Sequence, residues 1–168
     1  GGLAGPKFGC DGSGYTFAQQ FGHRIIRPLP ALTALKSSAP FLKKVSGVRN
    51  QAAITLEING NAVRHEIGEL QWTDYGISGV AIFQLSRFAI TALEENKKVS
   101  LSFDFMPELS LEEKGKLFLS LAQNNKKKSM LSFLKGLFPA KLCPVILREA
   151  KVEEGQTTGR MKKQDWEN

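Results

Sequence analysis

The chain predicts an α+β fold, an antiparallel barrel-like or sandwich-like sheet followed by a small helical subdomain. Three observations predict it. Alternating apolar and polar runs dominate the first two-thirds of the 168 residues, an Asn59-Gly60 dipeptide joins two of them, and helix signals take over after Pro107.

The elements follow in order. Gly1, Gly2, Gly5, Gly9, Gly12 and Gly14, with Pro6 and Asp11 among them, form a loop that runs into a helix over Gly14 to Phe21. Gly22 is placed as the C′ residue of that helix. His23 to Arg27 reads as a strand, and Pro28 and Pro30 force an extended turn. Phe41 to Val45 reads as a single helical turn. Val48 to Ile58 and Ala62 to Thr73 are partner strands, because Asn-Gly suits the two left-handed positions of a tight hairpin. Asp74 to Gly79 breaks the strand pattern with two glycines. From Val80 to Glu95 apolar residues recur at helical spacing, with Ser78 as the N-cap. Val99 to Phe105 alternates strictly, so it is a strand with one buried face. Ser110 and Glu113 form a capping box that opens a helix to about Gln123. Ser129 to Phe138 and Ala140 to Ala150 read as two short helices split by Pro139. Another helix is expected from Met161.

The chain divides into residues 1–22, a glycine-rich loop and helix; 23–108, a barrel-like β domain with one long helix; and 109–168, a helical subdomain expected to be truncated. Nothing resembles a membrane span or a signal peptide. Cys10 and Cys143 are far apart and form no C-x-x-C, which points to free thiols and a cytoplasmic setting. His23 and His65 lack a ligand cluster, so no metal is expected. The net charge is +7, yet the lysine groups, Lys126 to Lys128 among them, sit at expected loops or helix edges without interleaved exposed aromatics. That pattern suits a solvated face better than a nucleic-acid surface.

A glycine-rich loop feeding a helix lets backbone N–H groups approach an anionic ligand. A dinucleotide fingerprint would follow a buried strand, and here nothing precedes the glycines, so the chain reads as part of a larger protein. Its residues are recognisable. The opening Gly-Gly-x-x-x-Pro-Lys-x-Gly-x-x-Gly-x-Gly-Tyr resembles a segment of a family of bacterial flavoproteins. These are the NAD(FAD)-utilising dehydrogenase, aminoacetone-oxidase-like and bile-acid-reductase-like proteins. Gly68 to Gly79 (GELQWTDYGISG), running on to Gln84-Leu85-Ser86-Arg87, and Leu134 to Leu142 (LKGLFPAKL) are similar to two further blocks in the same order. Ala4, Ser13, Asp74 and Val80 depart from the residues common in the family at those places.

The resemblance implies an inserted middle domain that caps a flavin bound by other parts of the same polypeptide. Gly1, Gly2, Gly9, Gly12 and Gly14 would then face FAD, which this chain is not expected to hold alone. Ser78 and Gly79 would face the substrate side, and backbone N–H groups from Ile77 to Val80 would meet a substrate oxygen. Tyr75 is a candidate proton donor and Asp74 a candidate orienter; a packed surface tyrosine and a plain turn aspartate are the alternatives. Partners would be the missing flavin-binding domain, a small-molecule substrate and NAD(P)H. Nucleic acid is disfavoured as a partner. A basic nucleic-acid-binding module and a protein-interaction module remain alternatives of other classes. Trp72, Phe103 and Phe105 read as sheet and core residues, not as a cofactor box.

Overall fold

A computed structural model describes residues 1–161. The helix expected from Met161 therefore lies, apart from its first residue, outside the described residues.

The hairpin of strands β2 (Arg49–Ile58) and β3 (Asn61–Trp72) is the centre of the fold. Asn59 and Gly60 both adopt positive φ, +52° and +80°, the signature of a type I′ turn that matches strand twist. Strand β5 (Val99–Asp104) joins the free side of β2, pairing Phe103 with Ile54 and Leu101 with Leu56. These four side chains share one face, as period-two alternation requires. The pairing of β2 with β3 shifts between Leu56 and Glu57, a bulge that sharpens the local twist.

Two short strands complete the sheet: β1 (Leu35–Lys36) and β4 (Gly76–Ser78). The order is β1-β4-β3-β2-β5, with every pairing antiparallel. The sheet curls into a half-barrel around helix α3 (Val80–Glu94), whose Ala81, Ile82, Leu85 and Ala89 are buried against it. The short helix α2 (Leu42–Val45) adds Leu42 and Val45 to the same core.

The N-terminal helix α1 (Ser13–Gln20) ends in a Schellman motif: the Gly22 N–H donates to Gln19 O at 2.9 Å and the His23 N–H to Ala18 O at 3.0 Å. After Asp104 the chain turns helical. Helix α4 (Leu111–Asn124) carries the complete capping box, with Ser110 and Glu113 bonded reciprocally. Helices α5 (Met130–Leu134) and α6 (Cys143–Glu149) bury Met130, Phe133, Leu134, Cys143 and Leu147 in a second hydrophobic cluster.

The structure corrects several expectations. His23 to Arg27 is not a strand, because among the described residues no strand pairs with it; Arg27 instead pairs with Glu94 at the end of α3. The Asp74 to Gly79 break contains strand β4. Ser78 lies in that strand opposite Gln71, so the residue before α3 is Gly79, with no side-chain cap. The last two helices are shorter than expected, the first ending near the Gly136–Pro139 turns.

Candidate functional site

The glycine arm folds on itself. The Gly12 N–H donates to Gly2 O at 3.1 Å and the Gly14 N–H to Gly1 O at 3.2 Å, so Gly1, Gly2, Gly12 and Gly14 are brought together. A Cβ at Gly14 would lie 3.1 Å from Gly1 O, too close for any other residue without a shift. Gly9 closes the preceding 3-10 turn (Pro6–Phe8) with φ +78°. Asp11 Oδ1 accepts the Ser13 N–H at 2.9 Å, starting α1; that bond and the Ser13 hydroxyl hold the Asp11 carboxyl below its ordinary pKa. No residue of α1 is buried, and Phe8, Phe17 and Phe21 are 91%, 58% and 82% exposed. Cys10 in this arm is a free, half-buried thiol.

Asp74 and Tyr75 are the two tip residues of the turn between β3 and β4, where the Thr73 N–H donates to Gly76 O at 3.0 Å. Both side chains are exposed, and among the described residues neither makes a side-chain hydrogen bond or ion pair. The Tyr75 carbonyl is used structurally, accepting the Ser37 N–H at 3.0 Å. Gly79 has a packing reason of its own. With φ +120°, it lets the chain pass so close to β3 that a Cβ would stand 2.3 Å from Glu69 O. Ile77 and Ser78 are held in strand β4, which leaves the N–H groups at the start of α3 rather than those of Ile77 at its mouth. Among the described residues, no hydrogen bond or ion pair links the glycine arm to the Asp74–Gly79 turn.

A cavity of about 490 Å³ lies elsewhere, between the end of the half-barrel and the helical part. Trp72, Phe103 and Phe105 form its barrel side and Phe138, Leu142 and Ile146 its helical side. Phe103 meets Trp72 at 5.3 Å between ring centroids, and Phe105 meets Phe138 at 6.2 Å. One ion pair stands in this apolar wall: Lys114 Nζ donates to Asp104 Oδ2 at 2.5 Å. Burial raises the Asp104 pKa, but the hydrogen bonds from Lys114 and the Met106 N–H outweigh it, and the carboxyl stays below its ordinary value. The available signal was Phe103 and Phe105 two residues apart on one strand face, followed by a proline. Pairing them with Phe138 required the tertiary fold.

Among the described residues no cluster of three or more His, Cys, Asp or Glu could hold a metal. Nor is any helix there long and apolar enough to cross a membrane.

Residues 29–168 match the family described as HI0933-like protein barrel and H2TH domain. The chain belongs to the HI0933-like family. The half-barrel and the helices after it correspond to the two parts of that description, and the family is the one its sequence blocks resemble. Among curated relatives, the 3-dehydro-bile acid delta(4,6)-reductase of Clostridium scindens is 33% identical over all 168 residues, which span 41% of that protein. The ribosomal RNA dihydrouridine synthase of Haemophilus influenzae is 27% identical over 157 residues, 92% of this chain and 36% of the relative. Its counterpart in Escherichia coli is 33% identical over 91 residues, 52% of this chain and 22% of the relative. This HI0933-like chain thus spans less than half the length of the curated relatives it matches.

Proposed function

We propose that this HI0933-like chain is the inserted cap domain of a flavin-dependent oxidoreductase and is not active by itself. In this reading residues 1–22 face an FAD held by other parts of the same polypeptide. Residues 23–108 supply the barrel-like wall of the substrate site, and residues 109–168 supply a helical subdomain. The observation that carries the reading is the glycine arm. Its loop folds tightly on itself, buries none of α1 and leaves Phe8, Phe17 and Phe21 exposed. A short segment that exposes three aromatic rings is stable when another surface covers them.

In such a protein the flavin supplies the hydride chemistry, with NAD(P)H as the electron source. This chain's part is to exclude water and to shape the site. Gly1, Gly2, Gly9, Gly12 and Gly14 would present a backbone surface without side chains to the cofactor, the N–H groups of Gly9, Gly12 and Gly14 being spent within the arm. Ser78 and Gly79 would stand on the substrate side. Tyr75, exposed at the turn tip, is the residue free to donate a proton, with Asp74 beside it to orient the substrate. Free thiols at Cys10 and Cys143 fit a cytoplasmic protein.

The test is made on a longer polypeptide that contains the flavin-binding parts, with residues 1–168 either intact or replaced by a short Gly-Ser linker. The reading expects FAD in both, with flavin fluorescence quenched by iodide far more strongly once the segment is gone. Equal quenching in the two proteins overturns it.

A second reading has its own observation. Two of the relatives are named as ribosomal RNA dihydrouridine synthases, and Lys126, Lys127 and Lys128 are all exposed at the turn after α4. Here the substrate would be RNA, and the lysines would contact its phosphates. Affinity for mixed RNA that falls steeply with salt supports this reading, and absence of binding at low salt removes it.

A further inference from the structure

The cavity between the half-barrel and the helical part has no role in the reading above, and its chemistry can be read directly. We propose that it binds an uncharged, flat ring compound carrying one hydroxyl or carbonyl oxygen, with that oxygen bonded to Lys114. The proposal does not depend on a flavin.

Size and lining define the apolar part. About 490 Å³ falls within the range that holds small organic ligands. Its walls present the rings of Trp72, Phe103, Phe105 and Phe138. Aromatic rings meet flat partners in stacked or edge-to-face contacts that aliphatic walls do not offer. The indole N–H of Trp72 is already taken by Asn50 Oδ1 at 2.9 Å and the residue is 3% exposed, so Trp72 backs the cavity with no free donor, while the half-buried Phe103, Phe105 and Phe138 supply the accessible ring surface.

The polar part is the ion pair of Asp104 and Lys114, with Glu149 on the lining besides. An ammonium group has three N–H donors, and Lys114 gives one to Asp104 Oδ2. Asp104 spends its other oxygen on the Met106 N–H, at 3.0 Å. The side chain of Lys114 is 18% exposed and that of Asp104 is 44% exposed, so the pair stands at the edge of the cavity with Lys114 the more covered partner. Its remaining N–H donors can bond one ligand oxygen in exchange for water, a modest net gain. Charge selects the class. Asp104 neutralises Lys114, and Glu149 lies on the cavity lining as well. Each carboxylate already has its cation, Asp104 with Lys114 and Glu149 with Arg148, so an anionic ligand finds no unpaired positive charge, whereas a neutral hydroxyl or carbonyl needs none. Glu149 itself is paired with Arg148 at 3.1 Å, which removes the case for an organic cation.

The experiment is a 1H–15N titration of this protein with 2-naphthol, naphthalene and 2-naphthoate. The indole signal of Trp72 is the reporter, assigned with a Trp166→Phe variant. The expected result is saturable movement with 2-naphthol, about fivefold tighter than with naphthalene, the worth of one hydrogen bond. Binding of 2-naphthoate is expected to be weaker than that of 2-naphthol. Replacing the pair together, Asp104→Asn with Lys114→Met, should bring 2-naphthol to the level of naphthalene. Ala150→Phe, at an exposed position on the mouth, should weaken both without touching the core. Movement that never saturates, equal affinity for all three probes, or indifference to Ala150→Phe overturns the proposal. So does binding that disappears when the chain is joined to a flavin-binding partner, since the cavity would then be a domain interface. The flavin reading can fail by its iodide test while this titration succeeds, and the reverse also holds.

Discussion

The indole N–H of Trp72 donates to Asn50 Oδ1 at 2.9 Å, across the first pairs of the β2–β3 hairpin. That bond fixes the ring where it meets Phe41 at 6.0 Å and Phe103 at 5.3 Å, so one side chain ties strand, edge strand and α2 together. Trp72→Ala should cost about 3–5 kcal/mol, the range for emptying a buried aromatic site. Asn50→Ala should cost about 1–3 kcal/mol, because the indole donor is left unpaired. Urea denaturation followed by circular dichroism measures both, and the order of the two losses is the prediction.

Two glycines hold the short strand in place. A Cβ at Gly76 would stand 2.0 Å from Leu35 O, and one at Gly79 would stand 2.3 Å from Glu69 O. Gly76→Ala and Gly79→Ala should each destabilise by more than about 2 kcal/mol, through a backbone clash that no rotamer relieves. Gly155→Ala, where a Cβ meets nothing within 4 Å, is the control and should stay within about 0.5 kcal/mol. Thermal melts of the three variants decide it.

Asp104 gives the protein an acid-sensitive contact. Its carboxyl is more acidic in the folded chain than when unfolded, so its contribution is present at neutral pH and is lost as pH falls through the folded value. Glu113 is shifted in the same direction by its bonds to Ser110. Asp104→Asn should therefore lower stability at neutral pH and flatten its decline between about pH 5 and pH 3. Melting temperatures across that range provide the comparison. The side chain is 44% exposed, so the effect should be modest and shrink in salt.

The capping box at Ser110 is a separable stabiliser. Ser110→Ala removes the side-chain acceptor of the Glu113 N–H and should cost about 1 kcal/mol. Ser110→Asn, which keeps an acceptor, should recover most of the loss. Denaturation midpoints of the two variants report the difference.

Much of the fold was legible because local chemistry and tertiary structure agree where it was read. Asn59-Gly60 has few uses other than a tight hairpin, and Ser110 with Glu113 has few uses other than opening a helix. The Val80–Glu94 stripe buries Ile82 and Leu85 as its period demands. What was missed depended on partners. His23 to Arg27 has strand-like residues but no edge to join, and Leu35–Lys36 becomes a strand only because Gly76 lets β4 approach. Ser78 looks like a cap until the pairing with Gln71 claims it. The aromatic cavity was invisible for the same reason: Trp72, Phe103 and Phe138 are far apart in sequence and meet only when the helical part closes on the barrel. The glycine-rich loop entering a helix, together with the resemblance to the family, suggests a ligand-facing arm, while its internal hydrogen bonds account for the glycines at positions 12 and 14 without a ligand.

If this chain caps a flavin that it does not itself hold, titrating the folded chain with FAD, followed by flavin absorbance and fluorescence, should give no detectable binding, from a protein whose circular dichroism is nonetheless that of an α+β fold. Tight binding at one FAD per chain would mean that the flavin site is complete within these residues, and would contradict that reading.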